Sequence, residues 1–179
     1  MEPSLVTLRE LQGERDEMAD LQRVFEAAPQ YAQLVTGAAP GQADAQSTYS
    51  ILPEGKSYDD KLVFGVYRAD QMIGCVDLIR GYPDPSTAYL ALLLIAEPFQ
   101  RRGFGRAAYE QVEAAILRCH TCNRVLLAVV RTNDQVIPFW RKLGFSPTGE
   151  TRPYRYGSVV SEHVFLVKPL DVSGLQRTQ

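Results

Sequence analysis

The chain is short of cysteine and histidine, the residues from which disulfide frameworks and many metal sites are built. Its 179 residues contain three cysteines and two histidines. A small, odd set of cysteines is typical of reduced thiols, so we expect a cytoplasmic protein without a disulfide framework. One Cys-x-x-Cys pair occurs, Cys119 and Cys122, but it falls at the predicted end of a helix, where the dipole disfavours a thiolate. We therefore expect no metal ion.

The chain also lacks an excess of positive charge and a long apolar run. Lys and Arg number 19 against 21 Asp and Glu, for a formal net charge of −2. This excludes a sequence-wide basic field for nucleic acid or an anionic membrane, so any anion site must be local. The longest apolar stretch, residues 88–96, is less than half of the roughly 20 residues that a membrane-spanning helix needs. Neither nucleic acid nor a membrane is an expected partner.

What remains is the composition of an ordinary globular protein, with 45% hydrophobic and 22% charged residues. The length is near the usual size of one domain and leaves little room for two, so we predict a single domain over residues 1–179. The Gly- and Pro-containing stretch 36–57 is predicted as a long loop or short helical pieces.

The hydrophobic pattern predicts an α/β (α+β) domain. Three strand-like runs separated by tight turns favour an antiparallel meander, and a strand–helix–strand succession then implies one parallel crossover. A mixed, mostly antiparallel sheet of six to seven strands follows, with helices on both faces. The predicted strands are residues 6–9, 61–68, 72–80, 88–95, 124–130, 146–152 and 162–168, and the predicted helices are 15–28, 103–118 and 133–143, with a further helical turn at 31–35.

The most informative segment is the turn at residues 100–106, which we call the glycine turn. It leaves a buried strand, passes two arginines and enters a helix through Gly103-Phe104-Gly105. A helix N-terminus presents unpaired N–H groups, and glycine lets a bulky anion approach them because no Cβ intervenes. The turn therefore favours a site for a phosphorylated ligand, although a plain structural turn with solvated arginines stays open on this segment alone. The cationic side chains beside it are Arg101, Arg102 and Arg106.

Two motifs resemble those of the GNAT superfamily of N-acetyltransferases. Residues 100–105, Gln-Arg-Arg-Gly-Phe-Gly, resemble the family's Gln/Arg-x-x-Gly-x-Gly/Ala motif. Residues 133–145 resemble its second motif, Asn-x-x-Ala-x-x-Phe-Tyr-x-x-x-Gly-Phe, with Trp140 at the tyrosine position. One helix and one strand separate the motifs, as in the family, and the compatible pattern runs from Thr7 to Lys168. The chain is most similar to a bacterial branch with a Leu-Leu-Leu strand, a Tyr-Pro turn and Phe-Trp.

The resemblance implies a GNAT-like fold and acetyl-CoA as cosubstrate. The family binds the pyrophosphate with backbone amides of the glycine turn and pairs the pantetheine arm with the strand before it. The motif-bearing core is then expected at about 58–168, with an acceptor-side segment at 29–57. We also expect a flexible tail at 170–179. The residues expected to bind the cofactor are Leu93, Leu94, Ile95, Gln100, Arg101, Arg102, Gly103, Phe104, Gly105, Arg106, Asn133 and Trp140.

Residues that could carry out the chemistry are harder to find. Asp77 shares an otherwise apolar strand face, where burial would raise its pKa and suit it to act as a base; an ion pair with Arg68 or Arg80 is the alternative. Tyr89 lies near the strand position where some relatives carry a glutamate base, and could order a water or simply pack. Trp140 cannot act as the acid that the family's tyrosine supplies.

The resemblance implies an N-acetyltransferase that moves an acetyl group directly to a primary amine of a small molecule or peptide. The rival is a non-catalytic acyl-CoA-binding or regulatory module, which the missing motif tyrosine favours. Monomer and homodimer both stay open.

Overall fold

Seven strands and five α-helices make up residues 5–171, the part of the chain that the computed structural model describes. No helix within this range is long and apolar enough to cross a membrane. In chain order the elements are β1 (Thr7–Glu10), α1 (Arg15–Glu26), α2 (Pro29–Thr36), α3 (Asp44–Ser50), β2 (Lys61–Arg68), β3 (Gln71–Arg80), β4 (Thr87–Ile95), α4 (Phe104–Cys119), β5 (Arg124–Val130), α5 (Ile137–Lys142), β6 (Ser146–Tyr156) and β7 (Val159–Pro169). Short 3₁₀ turns lie at Tyr58–Asp60, Glu97–Phe99 and Arg131–Val136.

The strands form one mixed sheet in the order β1-β2-β3-β4-β5-β7-β6. β2, β3 and β4 make the predicted antiparallel meander, whereas β4 and β5 pair in parallel. α4 provides the crossover between these two strands, because parallel neighbours cannot be joined by a tight turn. The predicted fold class, with seven strands and one parallel β-α-β unit, is confirmed.

Helices cover both faces of the sheet, as predicted. On one face, Val112 of α4 packs in a buried cluster with Val76 and Leu90. On the other face, Leu21 of α1 packs in a second cluster with Cys75. Burying a side chain of this kind stabilises the fold by roughly 1.5–3 kcal/mol. The two clusters fix the sheet between two helical layers.

β4 and β5 part after four paired residues. Their register runs from Thr87 opposite Arg124 to Leu90 opposite Leu127. Beyond this point β4 stays paired with β3, and β5 stays paired with β7. The sheet therefore divides into a first half-sheet, β1-β2-β3-β4, and a second half-sheet, β5-β7-β6.

A bulge in β4 lies where the strands part. Leu90 pairs with Leu78 and Leu92 pairs with Asp77, so Ala91 is the extra residue. A bulge of one residue shifts the alternation of the strand by one. Leu90 accordingly packs with the α4-side cluster, while Leu92 and Leu94 belong to the α1 side.

One prediction needs correction. The helix predicted at 133–143 begins at Ile137, because Pro138 has no N–H and is accommodated at the start of a helix, so the preceding residues form the 3₁₀ turn.

The flexible tail predicted at 170–179 lies outside the described residues except at its first two positions. There Leu170 is buried, and its N–H donates to the Asn123 carbonyl at 2.8 Å.

β6 forms one edge of the sheet and is almost entirely exposed. Pro147 and Pro153 lie within it, and its pairing with β7 shifts register between Pro147 and Thr151. Proline is tolerated at an edge because it lacks the N–H that a central strand would need.

Candidate active site

The opening between the two half-sheets contains a cavity of about 570 Å³. Its walls come from β4 and β5 beyond their last paired residues, from the starts of α4 and α5, and from α2. Among the described residues that line it, the charged ones are Arg101 and Arg106, so the cavity is apolar with a cationic end. The lining residues expected from the sequence to bind the cofactor are Leu93, Leu94, Ile95, Gln100, Arg101, Gly103, Gly105, Arg106, Asn133 and Trp140.

The glycine turn has the backbone geometry of an anion cradle. Arg101 and Gly103 both adopt positive φ angles, 56° and 83°, and α4 begins at the next residue, Phe104. The first-turn N–H groups of a helix have no acceptor within the helix, and the positive end of the dipole lies there. Upstream, the Gln100 side-chain amide donates to the Ile95 carbonyl at 2.7 Å, which ties the turn to the end of β4.

The space beside Gly105 belongs to the cavity. A Cβ placed there would lie 3.5 Å from Phe139 and 3.7 Å from Ile95 and Leu93, which is ordinary contact. A side chain is therefore compatible with the fold at this position but would point into the space between α4, α5 and β4. Glycine keeps that space open.

Arg102 and Phe104 stand outside the cavity wall. The Phe104 ring is buried in the α4-side cluster, so its contribution to a ligand is limited to its backbone. The Arg102 guanidinium lies 5.3 Å from the centroid of that ring and is exposed. Arg106 pairs with Glu110 at 2.8 Å on the surface of α4. This ion pair contributes little because both side chains are exposed to solvent.

Trp140 lies at the floor of the cavity and is 7% exposed. Its ring packs edge-on against Tyr109, Phe139 and Phe145, with centroids 4.9–6.0 Å apart. Such contacts orient the indole firmly. It supplies an N–H donor and no acid.

Asp77 forms a buried ion pair, but its partner differs from the one expected. Both carboxylate oxygens accept from the Lys61 ammonium at 2.8 Å, and the two side chains are 10% and 2% exposed. Arg80 instead donates to the Asp59 carbonyl. The sequence pattern missed Lys61 because it starts β2 and reaches Asp77 diagonally across the antiparallel pair. Burial raises the pKa of the Asp77 carboxyl, although the ammonium opposes this.

Tyr89 packs edge-on against Tyr82, with ring centroids 5.5 Å apart. Burial, and then the Tyr82 phenol, raise the pKa of Tyr89 to about 12. Asp77 adds to this shift through its charge, so the two side chains belong to one region of the α1-side face. Neither lines the cavity.

α2 is the part of the cavity wall that no motif indicated. Gln30, Tyr31, Leu34 and Val35 line the cavity from this helix, which lies in the stretch expected to be acceptor-side. Burial raises the pKa of the Tyr31 phenol. The signal available in the sequence was a proline at the first helical position followed by apolar residues at three- and four-residue steps.

The sequence of this chain matches one known protein family over most of its length. The sequence profile of the Acetyltransferase (GNAT) family matches residues 22–145, more than half of the chain. The chain belongs to the acetyltransferase (GNAT) family. The resemblance carried by the two motifs is thereby confirmed, and the cavity of this GNAT protein lies between the strands that its motifs flank.

Relatives of this GNAT protein differ widely in their stated activities. The tRNA(Met) cytidine acetyltransferase of Aeropyrum pernix is 35% identical over 85 residues, which are 47% of this chain and 11% of that protein. The matched part of the chain thus spans about a tenth of that relative. An acetyltransferase from Thermus thermophilus has a TM-score of 0.69 at 26% identity, covering 94% of this chain and 100% of the other.

A further solved structure is the spermidine N-acetyltransferase from Vibrio cholerae, in complex with CoA and spermine. It has a TM-score of 0.71 at 18% identity and covers 93% of this chain and 96% of the other. A likeness at this identity shows the fold alone.

Proposed function

We propose that this GNAT protein transfers an acetyl group from acetyl-CoA directly to a primary amine of a small molecule or peptide. The observation that carries the proposal is the cavity between the parted strands, apolar along its length and ending at a glycine turn with two arginines in its wall. An acyl-CoA has the matching shape, with a narrow amide-containing arm and a polyanionic end. We also propose that it acts in the cytoplasm, on the strength of its few cysteines.

The phosphates would bind at the glycine turn. Backbone N–H groups at the start of α4 would donate to the pyrophosphate, with Arg101 and Arg106 supplying charge from the cavity wall. The pantetheine arm would pair with β4 from Leu93 to Ile95, where the parallel ladder to β5 has already ended. Unpaired strand edges readily accept such an addition, because their backbone groups need partners.

The acetyl group would then lie against the part of β4 that no longer pairs with β5. A backbone N–H near Leu94 or Ile95 would stabilise the oxyanion that forms when the amine attacks the thioester carbonyl. Asp77 and Tyr89 lie outside the cavity wall, and they are our candidates for assisting proton removal from the amine through a bridging water. The pairing of Asp77 with Lys61 limits its strength as a base, because a neighbouring cation favours the charged carboxylate.

A weak base favours an acceptor that is already neutral. At pH 7 an amine of pKa about 10.4 is neutral roughly once in 2,500 molecules, whereas an α-amine of pKa about 7.7–8.0 is neutral roughly once in 6 to 11. We therefore propose a low-pKa amine, such as an α-amino group or an aminosugar. The departing thiolate, with a thiol pKa of about 8.5, would take its proton from solvent, from the attacking ammonium or from Tyr31, the tyrosine in the described cavity wall.

Two measurements in sequence test the proposal. Calorimetry with CoA asks whether the site binds, and thiol release from acetyl-CoA with a panel of amines asks whether it turns over. We expect binding, thiol release with an α-amine or aminosugar, and a product heavier by one acetyl group. No CoA binding by the folded protein would contradict the proposed site.

A non-catalytic acyl-CoA-binding module is the second candidate. The specific observation in its favour is Trp140, which stands where the family motif has tyrosine and offers no titratable proton. It predicts CoA binding without thiol release across metabolite and peptide pools. Release with any amine rules it out.

A further inference from the structure

α2 crosses from one half-sheet to the other along the wall of the cavity. Its eight residues, Pro29–Thr36, are hydrogen-bonded at one end to the chain that follows β4, and at the other end to the chain that follows β5 and to β6. Side chains of the same helix line the cavity between these two attachments.

The N-terminal attachment is made by Glu97, which lies two residues after β4. Its carboxylate accepts from the Gln30 backbone N–H at 2.7 Å, and its own backbone N–H donates to the Ala27 carbonyl at 2.8 Å. A carboxylate at the first turn of a helix satisfies an otherwise unpaired N–H and complements the dipole. Glu97 therefore ties α2 to the first half-sheet.

The C-terminal attachment comes from the second half-sheet. Thr132, two residues after β5, donates its hydroxyl to the Leu34 carbonyl at 2.6 Å. Tyr154 of β6 donates its hydroxyl to the Val35 carbonyl at 2.8 Å, and the Ser158 N–H donates to the Thr36 carbonyl at 3.1 Å. These are carbonyls of the last turn, which have no N–H partner within a helix.

These attachments join the two half-sheets in the region where β4 and β5 no longer pair with each other. The separation of the two strand ends is then set by what connects them. We infer that α2 fixes the width of the acyl-CoA groove, and that Glu97 and Thr132 are positioning residues which act through this helix. This inference rests on the proposed function only in the identity of the ligand.

The inference makes a distinctive prediction about additivity. Eight helical residues span about 12 Å, and substitutions more than about 7–10 Å apart ordinarily contribute independently. If α2 bridges the half-sheets, however, loss of either attachment releases the bridge, and loss of the second adds little.

The test compares Glu97→Ala, Thr132→Val and the double variant by their Kd for CoA. Fluorescence of Trp140, the single tryptophan of the chain and a cavity residue, reports binding. Each single variant loses one hydrogen bond, so we expect Kd to rise about five- to tenfold. The double variant should be no worse than about twice the weaker-binding single, rather than the product of both effects, and Thr132→Ser should bind as the unmodified chain does.

Glu54→Ala and Thr148→Val are the matched controls, since both residues are exposed and neither lines the cavity. Thermal unfolding identifies any variant that does not fold; Glu97→Met, which keeps the side-chain length but has no oxygen acceptor, then replaces the alanine variant under the same additivity criterion. Unchanged Kd in the folded single variants, or multiplicative effects in the double, overturns the inference. Absence of CoA binding by the unmodified chain instead contradicts the proposed function, and faster amide exchange along α2 in Thr132→Val would still support the bridge.

Discussion

The two ends of the cavity are built on different chemical principles. At the glycine turn, the hydrogen-bond donors offered to a ligand include backbone N–H groups positioned by positive φ angles and a helix start, and Arg101 and Arg106 add charge. At α2, the cavity wall is made of side chains, including Tyr31 and Leu34. A backbone site suits a ligand part that never varies, whereas a side-chain site can be tuned to one acceptor. We therefore expect substitutions at the glycine turn to change cosubstrate affinity, and substitutions at α2 to change acceptor choice or stability.

The largest effect on cosubstrate binding is expected from Gly105→Glu. The new side chain would enter the cavity beside Phe139 and place a negative charge where phosphates are proposed. We expect the Kd for CoA to rise about a hundredfold or more, a loss of roughly 3 kcal/mol, with the fold retained. Gln71→Glu, with the same charge change at the exposed start of β3, should bind normally. Normal affinity in a folded Gly105→Glu protein would refute the site.

The largest effect on stability is expected from Asp77→Ala. It leaves the Lys61 ammonium buried without its partner, and breaking such a pair costs about 3–5 kcal/mol. Denaturant unfolding measures this loss. The double variant Lys61→Met with Asp77→Leu should recover most of it, because it removes both charges together. That folded double variant also tests Asp77 as the base: retained kcat would exclude the role.

Arg102→Ala should have an intermediate effect confined to cosubstrate binding. Arg102 is exposed and outside the cavity wall, so its contribution is a screened attraction to phosphate. We expect Kd for CoA to rise about three- to tenfold at low salt, and to depend less on salt than in the unmodified chain. Arg118→Ala, at the opposite end of α4, is the control. If the Kd for CoA depends on salt equally in Arg102→Ala and Arg118→Ala, Arg102 does not interact with the phosphates.

Trp140→Phe should change turnover little. The indole offers no acid, and a phenyl ring preserves packing against Tyr109 and Phe145. We expect kcat within about threefold of the unmodified chain and a lower Tm from the lost buried volume. Trp140→Tyr should gain little. A hundredfold loss of kcat in well-folded Trp140→Phe would mean that the indole N–H participates in the chemistry.

The smallest effect concerns His163 in β7. Burial, and then the charge of Arg152, hold the pKa of His163 below its ordinary value of 6.5. The unfolded chain then binds the proton more readily, so the stability that neutral His163 contributes is full above pH 6.5 and is lost as pH falls through the lower folded pKa. His163→Gln should flatten the dependence of unfolding free energy on pH below pH 6.5. An identical pH profile in the variant would contradict this assignment.

The fold was largely predictable because its periodicities are strong. Arg124–Val130 is a continuous apolar strand covered on both faces, and its predicted bounds match the structure. The glycine turn was equally visible, since paired glycines and arginines between a strand and a helix are typical of an anion-binding turn. Pro138 and the 3₁₀ turn before it were less visible, because the two helical forms share the same apolar spacing.

The contacts between distant segments could not be predicted. Lys61 and Asp77 come together through strand register, and Glu97, Thr132 and Tyr154 meet α2 through the arrangement of the half-sheets. A single sequence specifies local preference and the face of each element, but it contains no direct record of which elements become neighbours. The assignments of catalytic and cofactor-binding roles stay predictions.

The exposed outer edge of β6 bears on how the protein behaves when it is concentrated or partly unfolded. Eleven residues of free strand edge could template the addition of a further strand from another molecule. Pro147 and Pro153 remove two of the N–H donors that such a strand would require, and the irregular register near Pro147 interrupts the flat surface on which it would grow. Replacing both prolines by valine would restore these two donors and leave the edge more open to strand addition.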